Sequence, residues 1–445
     1  MRLIDNSQSL PHAIPVPESP DPSHPTDAVA SPPGRSLWHD RNFLTMWSGQ
    51  AFSQFGAQIF ELALPVLAVL LLHATEAQVG YLTAAATAAF LVVGLPAGAW
   101  IDRMRKRRVM IVADGIRVLA LAALPLLYLA GRLEMWHLYV AALVVGIATV
   151  FFDVSYQSII PSLVEPDQIA EANGKLESTH QLASLAGPAV GGGLVALVSA
   201  PVAIVVTVAT YLASMVALIF TRDHEVRREA TDHAPLHREI AEGLRWVFGN
   251  PYLKRIVATT SISNFFSTIV FTLVPIFYLR ILGFSPATMG LLLSLGAVGG
   301  LLGAMLAARI SRRIGEARAI PVSAIAFAVA MVPLPLAAAL PQAWAFTLLV
   351  VQTFTIGIGV VVYNITQVTF RQRITPSRLL GRMNASIRFC VWGVMPLAAL
   401  AAGWLGSWLG TIPTLWIGAL GGLLATLPLA FGPFWRTRDL PAARA

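Results

Sequence analysis

A glutamate, Glu61, stands near the middle of a long apolar run, preceded by Gln50, Gln54 and Gln58 at spacings of four, four and three. That spacing lines one face of a helix. An ionisable side chain inside an apolar segment is costly enough that function is its default explanation. The chemistry open to a carboxylate there is reversible protonation as its access to water switches. Glu61 is therefore the candidate proton-coupling residue, with Gln54 and Gln58 as candidate contacts to a bound small molecule. A fixed structural ion pair, or an opening onto an outer vestibule, is the competing explanation for Glu61.

A second set, Asp102, Arg103, Asp114, Arg117 and Asp153, falls near one end of the second to fourth apolar segments. Semi-buried opposite charges can latch one conformation and be released in another, because removing one partner strands the other. The expected latch joins Arg103 to Asp153 and turns Asp102 toward the eleventh segment, forming a cytoplasmic gate. Local pairing of Asp114 with Arg117, one helical turn apart, is the alternative for those two. In the second half Asn264, Thr268, Tyr363, Asn364 and Gln367 are the polar residues placed to reach a central cavity, although such side chains also bridge membrane helices structurally. Catalytic signatures are missing: the chain has no Walker loop, no dinucleotide-binding glycine pattern and no H-E-x-x-H. Neither a cofactor nor a metal is expected, since His180 alone lies near a segment. Energy for any work must then come from an ion or solute gradient.

The elements that position these residues follow from composition. Of 445 residues, 56% are hydrophobic and 12% charged, and the mean hydropathy is +0.68. A soluble domain carries about a quarter charged residues. Apolar windows of about twenty residues, enough to cross roughly 30 Å of hydrocarbon, recur from Leu44 to Phe434. Twelve spans are expected, at about 44–72, 79–101, 109–130, 135–160, 179–199, 202–221, 255–280, 287–309, 319–340, 343–369, 385–408 and 412–434. The net charge of +8 does not point to nucleic acid, because the basic residues are distributed by topology. Arg103 to Arg108, then Arg309 to Arg318, then Arg371 to Arg382 all fall on one side, so the positive-inside rule puts both termini in the cytoplasm. The single cysteine, Cys390, reads as a packing residue. Residues 1–37, with eight prolines and no apolar run, are expected to be a disordered cytoplasmic tail. No secretory signal precedes the first span, which must direct insertion itself.

Shifting the sequence by 210 residues aligns Ser53, Gln54, Phe55 and Pro65 with Ser263, Asn264, Phe265 and Pro275. The same shift carries Arg103 to Arg313 and Pro166 to Pro376. Six spans per repeat is an even number, so the halves enter the membrane in the same orientation, as in two-bundle transporters. The expected organisation is a six-helix bundle over 38–221, a linker with an amphipathic helix over 222–251, a second bundle over 252–435 and a cytoplasmic tail over 436–445. Ile240, Leu244 and Val247 recur at helical spacing in the linker.

Two motifs carry a family resemblance. After the second span comes Gly98-Ala-Trp-Ile-Asp102-Arg103-Met-Arg-Lys106-Arg107, which resembles the signature loop of the major facilitator superfamily, G-x-x-x-D-R-x-G-R-K, with Arg105 where the second glycine belongs. The equivalent loop in the second half keeps Arg313 and Gly315 but has Arg312 in place of the acid. Gly187, Pro188, Gly191 and Gly192 in the fifth span look like the core of that superfamily's antiporter motif, where proline and glycine let a helix bend and pack closely. The stretches around Asp153-Val-Ser-Tyr156-Gln157, Ala172-Asn173, Leu380-Gly381-Arg382 and Gly49-Gln50 are similar to the macrolide-efflux and enterobactin-exporter branch. The resemblance implies an all-α fold of twelve transmembrane helices in two bundles related by a pseudo-twofold along the membrane normal. It further implies a monomeric, proton-coupled exporter of drugs, siderophores or other secondary metabolites in the bacterial cytoplasmic membrane, with the lipid bilayer, the proton gradient and the cargo as its partners. An uncoupled facilitator or importer, a lipid flippase and a non-transporting receptor remain alternatives on the same fold.

Overall fold

The structure, a computed structural model, describes residues 37–101, 104–222, 236–376, 379–430 and 433–435. Asp102 and Arg103 of the expected gate, and both tails, lie outside the described residues. The first bundle is built from α1 (Arg41–Val66), α2 (Glu76–Ile101), α3 (Lys106–Leu129), α4 (Met135–Ile159), α5 (Ile169–Leu197) and α6 (Ala200–Phe220). After α7 (Leu236–Gly249), the second contains α8 (Leu253–Ile276), α9 (Pro286–Ile314), α10 (Glu316–Met331), α11 (Gln342–Ile374), α12 (Leu380–Trp392), α13 (Met395–Leu409) and α14 (Thr411–Leu424). No strand occurs among the described residues.

Local chemistry sets the ends of these helices. Asp40 caps α1 by accepting from the backbone N–H groups of Asn42 and Phe43, at 2.8 and 3.2 Å. At the other end Pro65 lacks an N–H, so the hydrogen-bond ladder is interrupted one turn beyond Glu61, and the chain widens into a π-turn over Leu67–Leu71. The second bundle repeats this arrangement at the same 210-residue offset. Pro275 lies near the end of α8, a π-turn follows over Phe277–Ile281, and α9 and α10 begin 210 residues after α2 and α3. His73 and Gly283, also equivalent, both adopt positive φ, 50° and 65°.

Eleven helices among the described residues are long and apolar enough to cross a membrane. The twelfth expected span, α5, is long enough, but its first turns carry Glu171, Lys175 and Glu177 and lower its hydropathy. It begins ten residues earlier than its apolar stretch suggests, because the acidic segment before it is already helical from Ile169. The eleventh span differs too. It is broken at Gly393–Val394 into α12 and α13, since Pro396 cannot donate to the carbonyl four residues back. Two side chains of α8 satisfy the carbonyls released there: Asn264 donates to Val391 O at 3.0 Å and Ser261 to Cys390 O at 3.2 Å.

The amphipathic helix foreseen in the linker is α7, and it docks on the second bundle. Val247 is buried with Leu253, Met383 and Ile387, Gly243 rests on the α12 backbone at Arg382, and Glu242 pairs with Arg382.

Transmembrane helices associate through close packing more than through hydrophobic burial, and glycine makes the tightest crossings here. Gly80 of α2 meets Gly403 of α13, while Gly192 of α5 meets Gly290 of α9. Both crossings join the two bundles, and both lie at the end opposite the arginine-rich loops.

Candidate functional site

For orientation, the basic end is the one that carries Arg105, Lys106, Arg107, Arg108, Arg312 and Arg313; the far end carries Arg132 and Arg280. Every hydrogen bond that joins the two bundles between described residues is toward the far end. Arg280, in the π-turn after α8, donates to the carbonyls of Ala74 and Val69 at 2.7 and 2.8 Å. Thr411 donates to the Glu76 carboxylate at 2.9 Å, and Ser294 Oγ accepts from the Ala189 N–H at 3.0 Å. About halfway along α2, Phe90 meets Trp392 edge-on, with ring centroids 4.8 Å apart. Beyond that contact, toward the basic end, the described parts of the bundles share no hydrogen bond or ion pair. Among the described residues, the hydrogen bonds that join the bundles are gathered toward the far end.

A cavity of about 700 Å³ lies in the first bundle, on its basic-end side. Its walls come from α1 (Gln54), α3 (Arg117), α4 (Asp153, Tyr156), α5 (Glu177, His180) and α6 (Tyr211), among others. The wall residues recur at helical spacing: Thr149, Asp153, Tyr156 and Gln157 share one side of α4, and Asn173, Leu176, Glu177 and His180 share one side of α5. Gln54 Oε1 lies 3.2 Å from His180 Nδ1. Carboxylates, an imidazole and aromatic faces thus converge on one space, a lining suited to an amphipathic molecule with polar groups.

Behind this wall sits a buried charge cluster. Asp114 pairs with Arg117 at 3.1 Å and accepts from the Ser214 hydroxyl at 2.7 Å. The Arg117 guanidinium lies over the rings of Phe152 and Tyr211, 4.5 and 5.0 Å from their centroids. It shares the cavity wall with Asp153. Asp114 and Arg117 therefore form the local pair, and Arg117 is shared with the cavity. Removing one member of such a pair strands a buried charge, so Asp114→Ala is expected to cost about 3–5 kcal/mol. The measurement is thermal unfolding of the purified protein, and Asp114→Ala/Arg117→Met should recover most of the loss. A double variant no more stable than the single would refute this account.

Glu61 lies one turn beyond cavity-lining Ala57, within electrostatic reach of Tyr211. It has open space beside it and, among the described residues, neither a hydrogen bond nor an ion pair. Gln58 lies along the same face and lays its stem on Gly187; Ile59 packs on Gly191. Gly187 and Gly191 thus bring α5 against α1, while Gly192, with the carbonyl of Pro188, brings it against α9 in the other bundle.

The residues singled out in the second half do not line this cavity. Asn264 is engaged at the helix break, Tyr363 shares a 2.7 Å hydrogen bond with Thr260, Thr268 is buried, Gln367 is buried with its Oε1 unpartnered, and Asn364 is exposed. Conversely Tyr156, Gln157, Asn173, Glu177, His180 and Tyr211 were not picked out as site residues from the sequence. The one-sided recurrence of polar residues along α4 and α5 was the signal available for five of them; Tyr211 in apolar α6 carries none.

Comparison with known proteins places this geometry in a family. Residues 46–398 match the sequence model of the Major Facilitator Superfamily. The multidrug efflux pump Tap of Mycolicibacterium fortuitum is 26% identical, over 80% of this chain and 87% of that protein. Macrolide efflux protein A of Streptococcus pyogenes is 24% identical, over 77% of this chain and 83% of its own length. Among solved structures, the nucleoside transporter NupG superposes with a TM-score of 0.72 at 12% identity, covering 87% of this chain and 99% of that one. A bacterial homologue of the iron transporter ferroportin, in an inward-facing state, gives 0.70 at 16% identity, covering 88% and 98%. A match over so much of the length, on two bundles with a 210-residue repeat, makes the conclusion direct: the chain belongs to the Major Facilitator Superfamily and is a multi-pass membrane transport protein.

Proposed function

We propose that this protein is a secondary active exporter of amphipathic small molecules, exchanging cargo for protons by alternating access in a bacterial cytoplasmic membrane. The basic end is taken as cytoplasmic, because arginine-rich loops are retained there; both termini then lie in the cytoplasm, and the hydrogen bonds gathered at the far end support reading this as an inward-facing state. The observation that carries the proposal is Glu61, without an ion pair among the described residues, one turn beyond a cavity in the basic-end half of the first bundle. In this state Glu61 releases its proton toward the cytoplasm and cargo enters the cavity against Gln54, Asp153 and Tyr156. When the far-end contacts part and the basic end closes, cargo leaves and Glu61 is reprotonated from outside. A gradient directed inward for protons then drives cargo outward. The efflux names of the Tap and macrolide relatives support the direction of transport. A monomer suffices, since cavity and carboxylate belong to one chain.

The test is ethidium accumulation, together with macrolide and tetracycline susceptibility, in cells with and without the protein. Expression should lower accumulation, and an uncoupler should abolish the difference. Accumulation indifferent to expression would sink the export reading, whereas efflux persisting after collapse of the proton gradient would indicate a facilitator.

A further inference from the structure

The second bundle holds cations for which it supplies no anion. After residue 251 the only acids are Glu316 and Asp439, and Glu316 is engaged by Arg373 at 2.6 Å. Arg371, near the basic end of α11, is partly buried, and its Nε is shielded from solvent without an acceptor. Arg388, exposed on α12, has its guanidinium 5.5 Å from the ring of Trp392, and its charge acts on Arg371. Neither arginine has an ion pair among the described residues. Ile374, one turn from Arg371, packs on the apolar cluster that contains Met383 and Ile387, the latter next to Arg388.

Their position matters as much as their charge. Arg388 lies one turn toward the basic end from Trp392, the residue that meets Phe90 of the first bundle. It therefore sits beside a contact between the two bundles. In the first bundle, by contrast, the carboxylates of Asp153 and Glu177 line a cavity. The second bundle is thus left with guanidinium groups that none of its own described acids opposes. Two like charges held near each other repel, and an anion between them converts that repulsion to attraction. Guanidinium groups match the oxygens of carboxylate, phosphate and sulfonate with paired, charge-assisted hydrogen bonds.

We propose that Arg371 and Arg388 form a binding site for an oxyanion group that enters the cleft of the proposed inward-facing state, carried either by the cargo or by an anionic lipid reaching in between the bundles. The proposal takes its cleft from the export reading but does not depend on coupling or on the direction of transport. Cargo with both a cationic and an anionic group would then span the cleft, its cationic part toward the first bundle.

Equilibrium binding to the full-length protein in phosphatidylcholine nanodiscs tests this. Naphthalenesulfonate is the anionic probe and ethidium the cationic control, with empty nanodiscs subtracted. Arg371→Gln/Arg388→Gln is expected to weaken naphthalenesulfonate binding at least tenfold while leaving ethidium binding within twofold. For the lipid source, native mass spectrometry should find phosphatidylglycerol retained by the wild type and lost from the double variant, and added phosphatidylglycerol should displace the probe. Equal probe binding and equal lipid retention in wild type and variant would overturn the proposal. If the double variant does not fold, Arg388→Gln alone, at an exposed position, should still weaken the probe at least threefold; no change would count the same way. Efflux assays are kept separate, so a protein that fails to pump but binds naphthalenesulfonate through these arginines refutes the export reading and leaves the oxyanion site standing.

Discussion

Gly290→Ala is expected to shift the protein, by about tenfold or more, away from the arrangement in which the far end is closed, and to reduce the proposed export to a similar degree. A Cβ at Gly290 would overlap the carbonyl oxygen of Pro188, and the facing residue on α5 is Gly192, whose own Cβ would overlap the carbonyl of Pro286. Neither obstruction is the tip of a flexible side chain, so the backbones of α5 and α9 must separate. Overpacking of this kind costs about 1–3 kcal/mol, and about 1.4 kcal/mol is a factor of ten in an equilibrium. The cost falls on the far-end crossing, so any arrangement in which α5 and α9 separate there gains population. The direct measurement is labelling of Ala189→Cys, in a Cys390→Ser background, by an impermeant maleimide applied from outside. Labelling should rise when Gly290→Ala is added. Unchanged labelling would mean that the α5–α9 crossing is not what seals this end.

Glu61→Gln is expected to abolish proton-driven export while leaving cargo binding near normal. The amide has the size and hydrogen-bonding reach of the carboxylic acid but cannot give up a proton, and Glu61 has no described partner whose loss would complicate the result. Reconstituted vesicles containing a pH-sensitive dye separate the possibilities. Wild-type protein should move protons when cargo is added; the variant should move none, yet still exchange labelled for unlabelled cargo. Proton movement that survives the substitution would place coupling elsewhere, and Asp153 in the cavity wall would become the next candidate.

The sequence made the repeat and the stripe on α1 visible because both are local patterns. Pro65 and Pro275 mark the same break in two helices, and Gln54, Gln58 and Glu61 need only a helical period to fall on one face. The antiporter-like glycines were also recognisable in α5, yet not their division of labour, with Gly187 and Gly191 serving α1 and Gly192 serving α9. Which neighbour a glycine admits depends on helices far away in the sequence. Asn264 shows the same limit. As a polar residue in an apolar span it could reach a central cavity or bridge helices, and it bridges: its amide satisfies a carbonyl released by a helix break whose cause, Pro396, lies in another span. The cavity in the first bundle was hidden for a related reason. His180 and Glu177 lie in turns too polar to look membrane-embedded, and only the packing of α5 against α1 brings them beside Gln54.

The clasp at the far end bears on how this transporter could change over generations. Arg280 takes hold of the first bundle through the carbonyl oxygens of Val69 and Ala74, atoms that every residue possesses. A codon change at position 69 or 74 exchanges a side chain and leaves the oxygen in place, whereas a change at 280 removes both hydrogen bonds at once. Heritable tuning of this latch is therefore concentrated on one side, and selection for faster outward opening would find its variants at Arg280 long before it found them among the residues it grips.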